Sequence, residues 1–255
     1  MTPQHVLITG ASSGIGAALA RRYARPGVRL SLTGRDPARL QQVSDACRSA
    51  GADSQWHAAD ITDADSTGGW ITACDTRQPV DLLIANAGIG GSEVLAPDSG
   101  ETLATAQKIV ATNILGVVHT VIPLLPRFTA RGKGHVVIVS SLAYVGLPHS
   151  PLYSASKAAV RVYGHALRRL LAPGGVRVTV VSPGFVETPM SAGVPGARPM
   201  LWSVERAAAR IQRGIARGER EIAFPWPLAL LAWLADILPP AFVDSLLIRT
   251  RRNNA

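Results

Sequence analysis

Tyr153 and Lys157 are the two residues whose types and spacing point most directly to chemistry. They stand four apart at the start of a segment with helical periodicity, so a helix would place both side chains on one face. A free tyrosine titrates near pH 10 and is a poor base, but an adjacent ammonium group stabilises its phenolate. The pair therefore predicts a proton donor and acceptor; the alternative is a solvated helix face that carries both side chains by chance.

A glycine-rich segment near the N-terminus predicts a turn that binds phosphate. Gly10, Gly14 and Gly16 follow a short apolar run, and a helix-forming sequence continues beyond them. Glycines allow a tight turn and a close approach of the backbone to a pyrophosphate, whose charge is attracted by the free N–H groups at a helix start. An ordinary strand-to-helix turn is the alternative, so the rest of the chain must decide.

The elements that would position these residues alternate between strand and helix. Seven apolar runs predict the strands His5–Thr9, Val28–Thr33, Gln55–Ala59, Asp81–Ala85, His135–Ser140, Val176–Val181 and Glu221–Phe224. Segments of helical period predict the helices Gly14–Arg25, Pro37–Ala50, Asp63–Arg77, Thr102–Thr129, Ser154–Leu171 and Val204–Arg217. This alternation predicts an α/β fold with a parallel sheet covered on both faces.

Further motifs follow the glycine segment in order: Asn86-Ala87-Gly88 after the fourth predicted strand, Tyr153 to Lys157, and Pro183-Gly184 after the sixth strand. Together with the spacing Gly-x-x-x-Gly-x-Gly, they resemble the short-chain dehydrogenase/reductase family from about His5 to Met190. The resemblance implies a single Rossmann-like, doubly wound domain with a seven-stranded parallel sheet, and a nicotinamide cofactor. We expect residues 1–190 to form the dinucleotide-binding and catalytic core. Residues 191–255 would add a substrate loop, the last helix and strand, and an apolar C-terminal helical extension.

The resemblance also implies an oxidoreductase that interconverts a carbonyl and an alcohol by hydride transfer. Tyr153 would exchange the proton with the substrate oxygen, Lys157 would hydrogen-bond the nicotinamide ribose, and Ser141 would hydrogen-bond the substrate oxygen. Asn113 matches the family's helix-bending asparagine, which holds a water in a proton relay; a surface asparagine is the alternative. The family's serine stands 13 residues before the tyrosine, where this chain has Ser140. We choose Ser141 because the strand-end pair of serines aligns there, and keep Ser140 as the alternative.

The cofactor-binding residues are carried over from the same motifs. They are Gly10, Ser12, Ser13, Gly14, Ile15, Gly16, Arg35, Asp60, Ile61, Asn86, Ala87, Gly88, Tyr153, Lys157, Pro183, Gly184, Val186 and Thr188. Asp60 matches the family's adenine-contacting residue, while Val186 and Thr188 would hold the nicotinamide carboxamide. A helix cap is the alternative for Asp60 and for Thr188. The segment Asn86-Ala87-Gly88 is expected to be mostly structural.

The choice of cofactor depends on the segment Gly34-Arg35-Asp36, after the second predicted strand. NAD-binding members of the family carry Asp where this chain has Gly34, whereas Arg35 matches the arginine that binds the 2′-phosphate of NADP. Asp36 would favour NAD if its carboxylate lay beside the ribose, but Asp before Pro37 is also a typical helix N-cap. We therefore favour NADP(H) and keep NAD(H) as the alternative.

Composition excludes several other classes of protein. Hydrophobic residues make up 47% of the 255 residues, which is ample for a core, and two cysteines cannot form a disulfide framework. The net charge of +9 is not accompanied by a nucleic-acid-binding motif, so no nucleic-acid partner is expected, and no metal site is expected either. The N-terminal residues show no secretory signal, so we expect a cytoplasmic protein.

The C-terminal tail, residues 224–249, is strongly apolar and is bordered by arginines. Prolines interrupt it, so it lacks an uninterrupted membrane span, and two short helices joined at Pro239-Pro240 are expected. A lid or subunit contact is favoured over peripheral membrane attachment, and an apolar lid suggests an apolar carbonyl or alcohol substrate. Family habit favours a homodimer or homotetramer. Two alternatives stay open: a non-catalytic dinucleotide sensor or scaffold, and a reductase attached to membranes through its tail.

Overall fold

Seven parallel strands form the centre of the molecule, in the order β3-β2-β1-β4-β5-β6-β7. The strands are β1 His5–Thr9, β2 Arg29–Gly34, β3 Asp53–Ala58, β4 Leu82–Ala85, β5 Gly134–Val139, β6 Val176–Pro183 and β7 Glu221–Phe224. Ile8 of β1 pairs with Leu32 on one side and with Ile84 on the other, where the strand order reverses. The structure, a computed structural model, describes residues 3–90, 101–148, 150–194 and 197–245. It confirms the predicted seven-stranded, doubly wound fold.

Helices cover both faces of this sheet. They are α1 Gly14–Tyr23, α2 Pro37–Ser49, α3 Ala64–Arg77, α4 Leu103–Arg131, α5 Pro151–Leu171, the short α6 Pro189–Ala192, α7 Val204–Arg217 and α8 Trp226–Ile237. On one face, α1, α2 and α7 pack over residues such as Ile8, Leu32 and Val181. On the other, α3, α4 and α5 pack over Leu7, Leu83 and Ile138. Strands buried on both faces must be apolar throughout, which explains their continuous apolar runs.

Several boundaries differ from the predicted ones. Helix α5 begins at Pro151 and not at Ser154, because proline suits a first turn that needs no N–H donor. Strand β5 ends at Val139, so both candidate serines follow the strand. Residues Leu142–Val145 form a 3-10 turn, and α6 occupies the start of a segment predicted as a loop. The 3-10 turn and α6 were not predicted because hydrophobic periodicity over a longer window does not resolve such short elements.

Helix α4 is less regular than a single predicted helix. A π turn interrupts it at Val110–Leu115 and a 3-10 turn at Ile122–Leu124. By length and composition alone, it is also long and apolar enough to cross a membrane, whereas the sequence analysis considered only the tail and found no uninterrupted span there. Its residues Val117, Val121 and Phe128 are buried against the sheet and α5, as expected for a core helix.

The tail forms two helical segments, as predicted. Helix α8 ends at Ile237, and residues 240–245 are helical again after a break at Leu238 and Pro239. The remaining predicted tail residues, 246–249, lie outside the described residues. Helix α8 packs against the turn Leu142–Val145 and against β7, which places the tail beside the carboxyl ends of the strands.

Candidate active site

A cavity of about 1320 Å³ lies at the carboxyl ends of the strands. Ligands of doubly wound folds bind at this edge, beside the point where the strand order reverses. Of the predicted site residues, these line the cavity: Gly10, Ser12, Ser13, Gly14, Ile15, Arg35, Asp60, Ile61, Asn86, Ala87, Gly88, Ser141, Tyr153, Lys157, Pro183, Gly184, Val186 and Thr188. Only Gly16 and Asn113 of the predicted set are not among its lining residues. The fold thus brings together motifs that are up to 178 residues apart, Gly10 and Thr188.

The glycine segment is shaped by close backbone approaches. Gly10 and Gly14 have φ of +66° and +52°, in the left-handed region that favours glycine. A Cβ at Gly10 would lie 2.7 Å from the Cα of Ala87, and one at Gly16 would lie 2.6 Å from Nδ2 of Asn86. A residue with a side chain at Gly10 or Gly16 would therefore collide with the segment at Asn86 and Ala87.

The N-terminus of α1 faces the cavity. The side chain of its N-cap, Ser13, accepts no hydrogen bond from the first turn, so it does not occupy the N–H groups of that turn. Together with the glycine cradle, this end of the helix suits a pyrophosphate group. The residues present here therefore fit a dinucleotide.

The segment Asn86-Ala87-Gly88 is tied to the end of β1. Asn86 Nδ2 donates to the carbonyl oxygens of Thr9 and Gly10 at 3.0 and 3.2 Å. The backbone N–H groups of Asn86 and Ala87 both donate to Thr9 Oγ1 at 3.2 Å. These contacts fix the glycine turn against β4, in the structural role expected of the segment.

Ser141, Tyr153 and Lys157 meet in one part of the cavity wall. Lys157 Nζ lies 5.8 Å from the centroid of the Tyr153 ring and donates to the carbonyl oxygen of Val139 at 3.2 Å. Burial raises the pKa of Tyr153, and contact with the Ser141 hydroxyl opposes that rise. The phenol is therefore protonated at neutral pH and can donate a proton.

Lys157 is buried at the base of the same group. Burial lowers its pKa from 10.5 to about 8, because the ammonium form loses hydration there. A lysine with this pKa changes charge close to neutral pH, beside a phenol whose ionisation its charge would favour. The spacing of four thus places tyrosine and lysine side by side on one helix, as predicted.

The two candidate serines point to different partners. The buried Ser140 hydroxyl donates to the backbone carbonyl of Lys157 at 2.7 Å, which ties β5 to α5. Ser141 is partly exposed; its hydroxyl accepts from Ala143 N at 3.1 Å and is in contact with Tyr153. This placement favours Ser141 as the serine available to a substrate oxygen.

Asn113 lies in the π turn of α4 and is fully buried, so the surface alternative is wrong. Its Oδ1 accepts from the N–H of Ile89 at 2.8 Å. Its Nδ2 donates to the carbonyl of Ile89 and to Ser156 Oγ, both at 3.1 Å. The side chain therefore links β4 to α4 and to the helix that carries Tyr153 and Lys157.

Arg35 and the adjacent Asp36 have different surroundings. The Asp36 carboxylate accepts from Arg39 N at 3.0 Å as the N-cap of α2 and pairs with Arg39 Nε at 3.1 Å. Arg35 is exposed on the cavity wall, and Arg39, which sequence reasoning missed, lines the cavity beside it. A Cβ at Gly34 would lie 3.1 Å from Ser12 Oγ, so a larger residue there would displace Ser12.

Two other predicted contacts also serve local structure. Asp60 Oδ1 accepts from Thr62 N at 2.9 Å, whereas the N-cap of α3 is Asp63. Thr188 is the N-cap of α6 and accepts from Ser191 N at 3.2 Å, so the expected capping role is present. Both residues nevertheless line the cavity, and a hydroxyl or carboxylate in a cap keeps further acceptor capacity.

The rest of the cavity wall is apolar. Helix α8 contributes Leu228, Leu231, Ala232, Leu234 and Ala235, and the turn before α5 contributes Leu142, Ala143, Val145 and Leu147. Among the described lining residues, the charged ones are Arg35, Asp36, Arg39, Asp60 and Lys157. All but Lys157 belong to the segments that follow β2 and β3, including the start of α2, so the part beside α8 carries little charge.

The sequence and the fold both have known relatives. Residues 4–198 match the sequence model of the family described as short chain dehydrogenase. A Myxococcus xanthus protein named an uncharacterized oxidoreductase is 38% identical over 253 residues, which are 98% of this chain and 99% of that protein. The ketoacyl reductase HetN of a Nostoc species is 33% identical over 204 residues, 79% of this chain and 70% of that protein.

Among solved structures, a short-chain dehydrogenase from Sphingobium yanoikuyae in complex with NADPH has a TM-score of 0.78 and 27% identity. The similarity covers 95% of this chain and 91% of that chain. Family match, relatives and fold agree with the arrangement of the cavity. The chain therefore belongs to the short-chain dehydrogenase family and is an oxidoreductase with a nucleotide-binding, Rossmann-like fold.

Proposed function

We propose that the protein is an NADP(H)-dependent oxidoreductase that interconverts an apolar carbonyl compound and its alcohol, with Tyr153 as general acid and base. The observation that carries the proposal is the convergence of Ser141, Tyr153 and Lys157 in the same cavity as the glycine turn. A bound nicotinamide would supply or accept the hydride.

The chain's own residues would handle the proton. The Tyr153 phenol donates it to the substrate oxygen during reduction and accepts it from the alcohol in the reverse direction. The Ser141 hydroxyl hydrogen-bonds the same oxygen and stabilises its developing negative charge. The charge of Lys157 would stabilise the Tyr153 phenolate, and its ammonium would hydrogen-bond the nicotinamide ribose. Asn113 positions α4 against the helix that carries Tyr153 and Lys157, and would serve the proton relay.

NADP(H) is supported by the surroundings of the adenosine end. Arg35 and Arg39 face the cavity, while the Asp36 carboxylate is used by the N-cap of α2 and by Arg39. An arginine fork matches a phosphate, and a carboxylate engaged in this way repels it less. The Sphingobium relative's complex with NADPH supports the same choice. NAD(H) is the alternative if Asp36 leaves its cap.

The apolar substrate is supported by the walls beside α8. A substrate with a charged group there would lose hydration without gaining a partner of opposite charge, because Lys157 is the charged side chain on that side among the described residues. The ketoacyl reductase HetN is named for a carbonyl substrate.

The experiment is reduction of a panel of alkyl and aryl ketones by NADPH, with the variants Tyr153→Phe and Tyr163→Phe. Tyr163 lies on the same helix outside the cavity and is the matched control. We expect Tyr153→Phe to lower turnover by about 10²-fold or more. The NADPH-induced rise in Tm should stay as in the wild type, and Tyr163→Phe should keep its activity. NADPH binding with no turnover on any ketone would instead favour the dinucleotide sensor.

A second candidate function, peripheral membrane attachment, is supported by the outer face of α8. Trp226, Leu230, Trp233 and Ile237 follow helical spacing on this face and are 46 to 74% exposed. Tryptophans suit a headgroup region, and the net charge of +9 favours an anionic bilayer. Flotation with phosphatidylglycerol vesicles should recover the wild type, whereas Trp226→Ser/Trp233→Ser should remain in the dense fraction. Equal recovery of both proteins would refute attachment through this face.

Cytoplasmic location and a homodimer or homotetramer complete the proposal. The division into a core of residues 1–190 and a specificity-bearing remainder is part of it as well, because α8 and the 191–201 segment provide much of the apolar wall.

A further inference from the structure

A second cavity, of about 680 Å³, lies at the opposite edge of the sheet from the active site. It is beside the amino ends of β4, β5 and β6 and the carboxyl end of α1. Buried side chains, among them Tyr23, Leu82 and His135, contribute to its wall. This volume suits a small-molecule ligand, and the site does not overlap the residues that line the active site.

The rim of this cavity is strongly basic. Arg22, Arg25, Lys133, Arg177 and Arg213 line it, against a single carboxylate, that of Asp81. That carboxylate pairs with Lys133 Nζ at 3.0 Å and also accepts from the N–H groups of Gln4 and His5. Within the described part of the chain, none of the four arginines has a carboxylate within ion-pair distance, and Arg22 bonds only the neutral Gln212.

Tyr23 adds an unused polar group to the wall. The residue is 5% exposed, and its hydroxyl has no hydrogen-bond partner among the described residues. A buried hydroxyl without a partner is destabilising. The Tyr23 hydroxyl has almost no solvent-accessible area, so a ligand oxygen would bond it once the side chains around it move aside.

The ordinary role of such arginines does not account for the whole cluster. Arg22 lies in the last turn of α1 and Arg213 in the penultimate turn of α7, where cations offset the helix dipole. A helix end carries only about half a negative charge, however, while the rim has four arginines that pair with no carboxylate of the described residues. Arg177 lies on strand β6 and offsets no helix end.

We propose that this cavity binds a small molecule that carries a di- or triphosphate group. Arginines from α1, β6 and α7 approach the cavity from different sides, which suits a chain of several charged oxygens better than a single carboxylate. The Tyr23 phenol would donate a further hydrogen bond. The proposal does not rest on the proposed function, because no residue of the active site contributes to this cavity.

The probe is inorganic tripolyphosphate, titrated calorimetrically into the full-length protein at low ionic strength, with citrate in a parallel titration. We expect one equivalent of tripolyphosphate to bind, more weakly as salt is added. The variant Arg177→Gln/Arg213→Gln should weaken binding about tenfold or more, because it removes charge-assisted hydrogen bonds. Citrate should bind at least about tenfold more weakly, because it presents fewer charged oxygens in a row.

Controls separate this cavity from other basic surfaces. Arg217→Gln/Arg220→Gln removes two exposed arginines outside both cavities and should bind as the wild type does. Tyr23→Phe should leave the Tm of the free protein unchanged or higher, since the hydroxyl has no partner to lose, yet weaken tripolyphosphate binding.

Three results would overturn the inference. One is the absence of tripolyphosphate binding to the wild type, and another is equal binding by citrate. The third is binding that survives Arg177→Gln/Arg213→Gln but is lost in Arg35→Gln, because the anion would then occupy the active-site cavity. The last result would leave the proposed function intact.

Discussion

At the scale of single residues, Arg35 is the side chain on which the cofactor preference depends. It is exposed at the cavity wall, while its neighbour Asp36 is held by the cap of α2. We expect Arg35→Ser to raise the Kd for NADPH about tenfold or more, because a charge-assisted contact with the 2′-phosphate is lost, and to change the Kd for NADH little. Thermal unfolding with each nucleotide measures this, since a ligand of the native state raises Tm. A larger effect on NADH would make the NAD alternative correct.

Burial of Lys157 is expected to lower the free energy of unfolding of the protein. Its pKa is about 8 in the folded protein against an ordinary value of 10.5 for lysine, so between these values the unfolded chain binds more protons. The lysine's contribution therefore becomes more favourable as pH rises from 8 to 10.5, and below pH 8 its burial penalty is complete. We expect Lys157→Met to unfold with a free energy about 2 kcal/mol higher at pH 7.

Urea denaturation at pH 7 and at pH 10 tests this expectation, with ketone reduction measured on the same samples. The stability gain should shrink at pH 10, where the wild-type lysine is neutral in the folded state, and activity should be lost at both pH values. A variant less stable than the wild type at pH 7 would show that the hydrogen bond to Val139 outweighs the burial penalty.

Many site residues could be predicted because their spacing is local. Tyr153 and Lys157 need only one helix to meet, and Asp36 needs only the proline that follows it. Ser140 and Asn113 bond to residues of α5 that are 17 and 43 positions away in sequence, so their burial depends on tertiary packing and could not be predicted from the chain alone. Arg39 was missed because its position beside Arg35 follows from how α2 begins.

At the scale of elements, two helical glycines predict opposite effects of the same substitution. A Cβ at Gly164 in α5 would lie 2.6 Å from Val180 Cγ2, whereas a Cβ at Gly69 in α3 would have nothing within 4 Å. We expect Gly164→Ala to lower the free energy of unfolding by about 1–2 kcal/mol through overpacking, although alanine favours helix. Gly69→Ala should raise it by about 0.5–1 kcal/mol.

Chemical denaturation of both variants measures the two effects under one condition, and each variant is the other's control. The comparison tests how closely α5 packs on β6, because that contact fixes the helix that carries Tyr153 and Lys157. If Gly164→Ala were as stabilising as Gly69→Ala, the sheet would be able to move away from the helix and the site would be less rigid than its geometry indicates.

Elements with a strong apolar period were predictable, and irregular ones were not. The central strands, such as β1, β4 and β5, were identified because burial on both faces makes each an apolar run, whereas the edge strand β3 is only partly buried. The π turn of α4 arises where Asn113 bonds to Ile89, a tertiary contact that leaves no periodic pattern. Helix α8 was expected from its apolar residues. The sequence did not show that one face of the helix lines the cavity while the other is exposed.

At the scale of the whole molecule, charge is distributed unevenly between the two edges of the sheet. The carboxyl edge holds the site whose motifs the sequence revealed, because they stand at strand ends in a fixed order. The basic cavity at the amino edge collects arginines from α1, β6 and α7, which are far apart in sequence. A net charge of +9 therefore showed that cations were in excess but not where they gather.

Self-association is predicted through the face formed by α4 and α5. Both helices pack on one side of the sheet, yet they leave Leu115, Ile122, Val162 and Leu170 exposed by 45 to 71%. Exposed apolar side chains on one face favour a contact between chains, so we expect a homodimer or homotetramer by sedimentation velocity.

The variant Val162→Glu/Leu170→Glu would place charges in the contact on each copy and should shift the protein to monomer. Leu230→Glu, on the outer face of α8, is the matched control and should leave the assembly intact. Dissociation by Leu230→Glu alone would move the contact to the tail and remove the case for membrane attachment there.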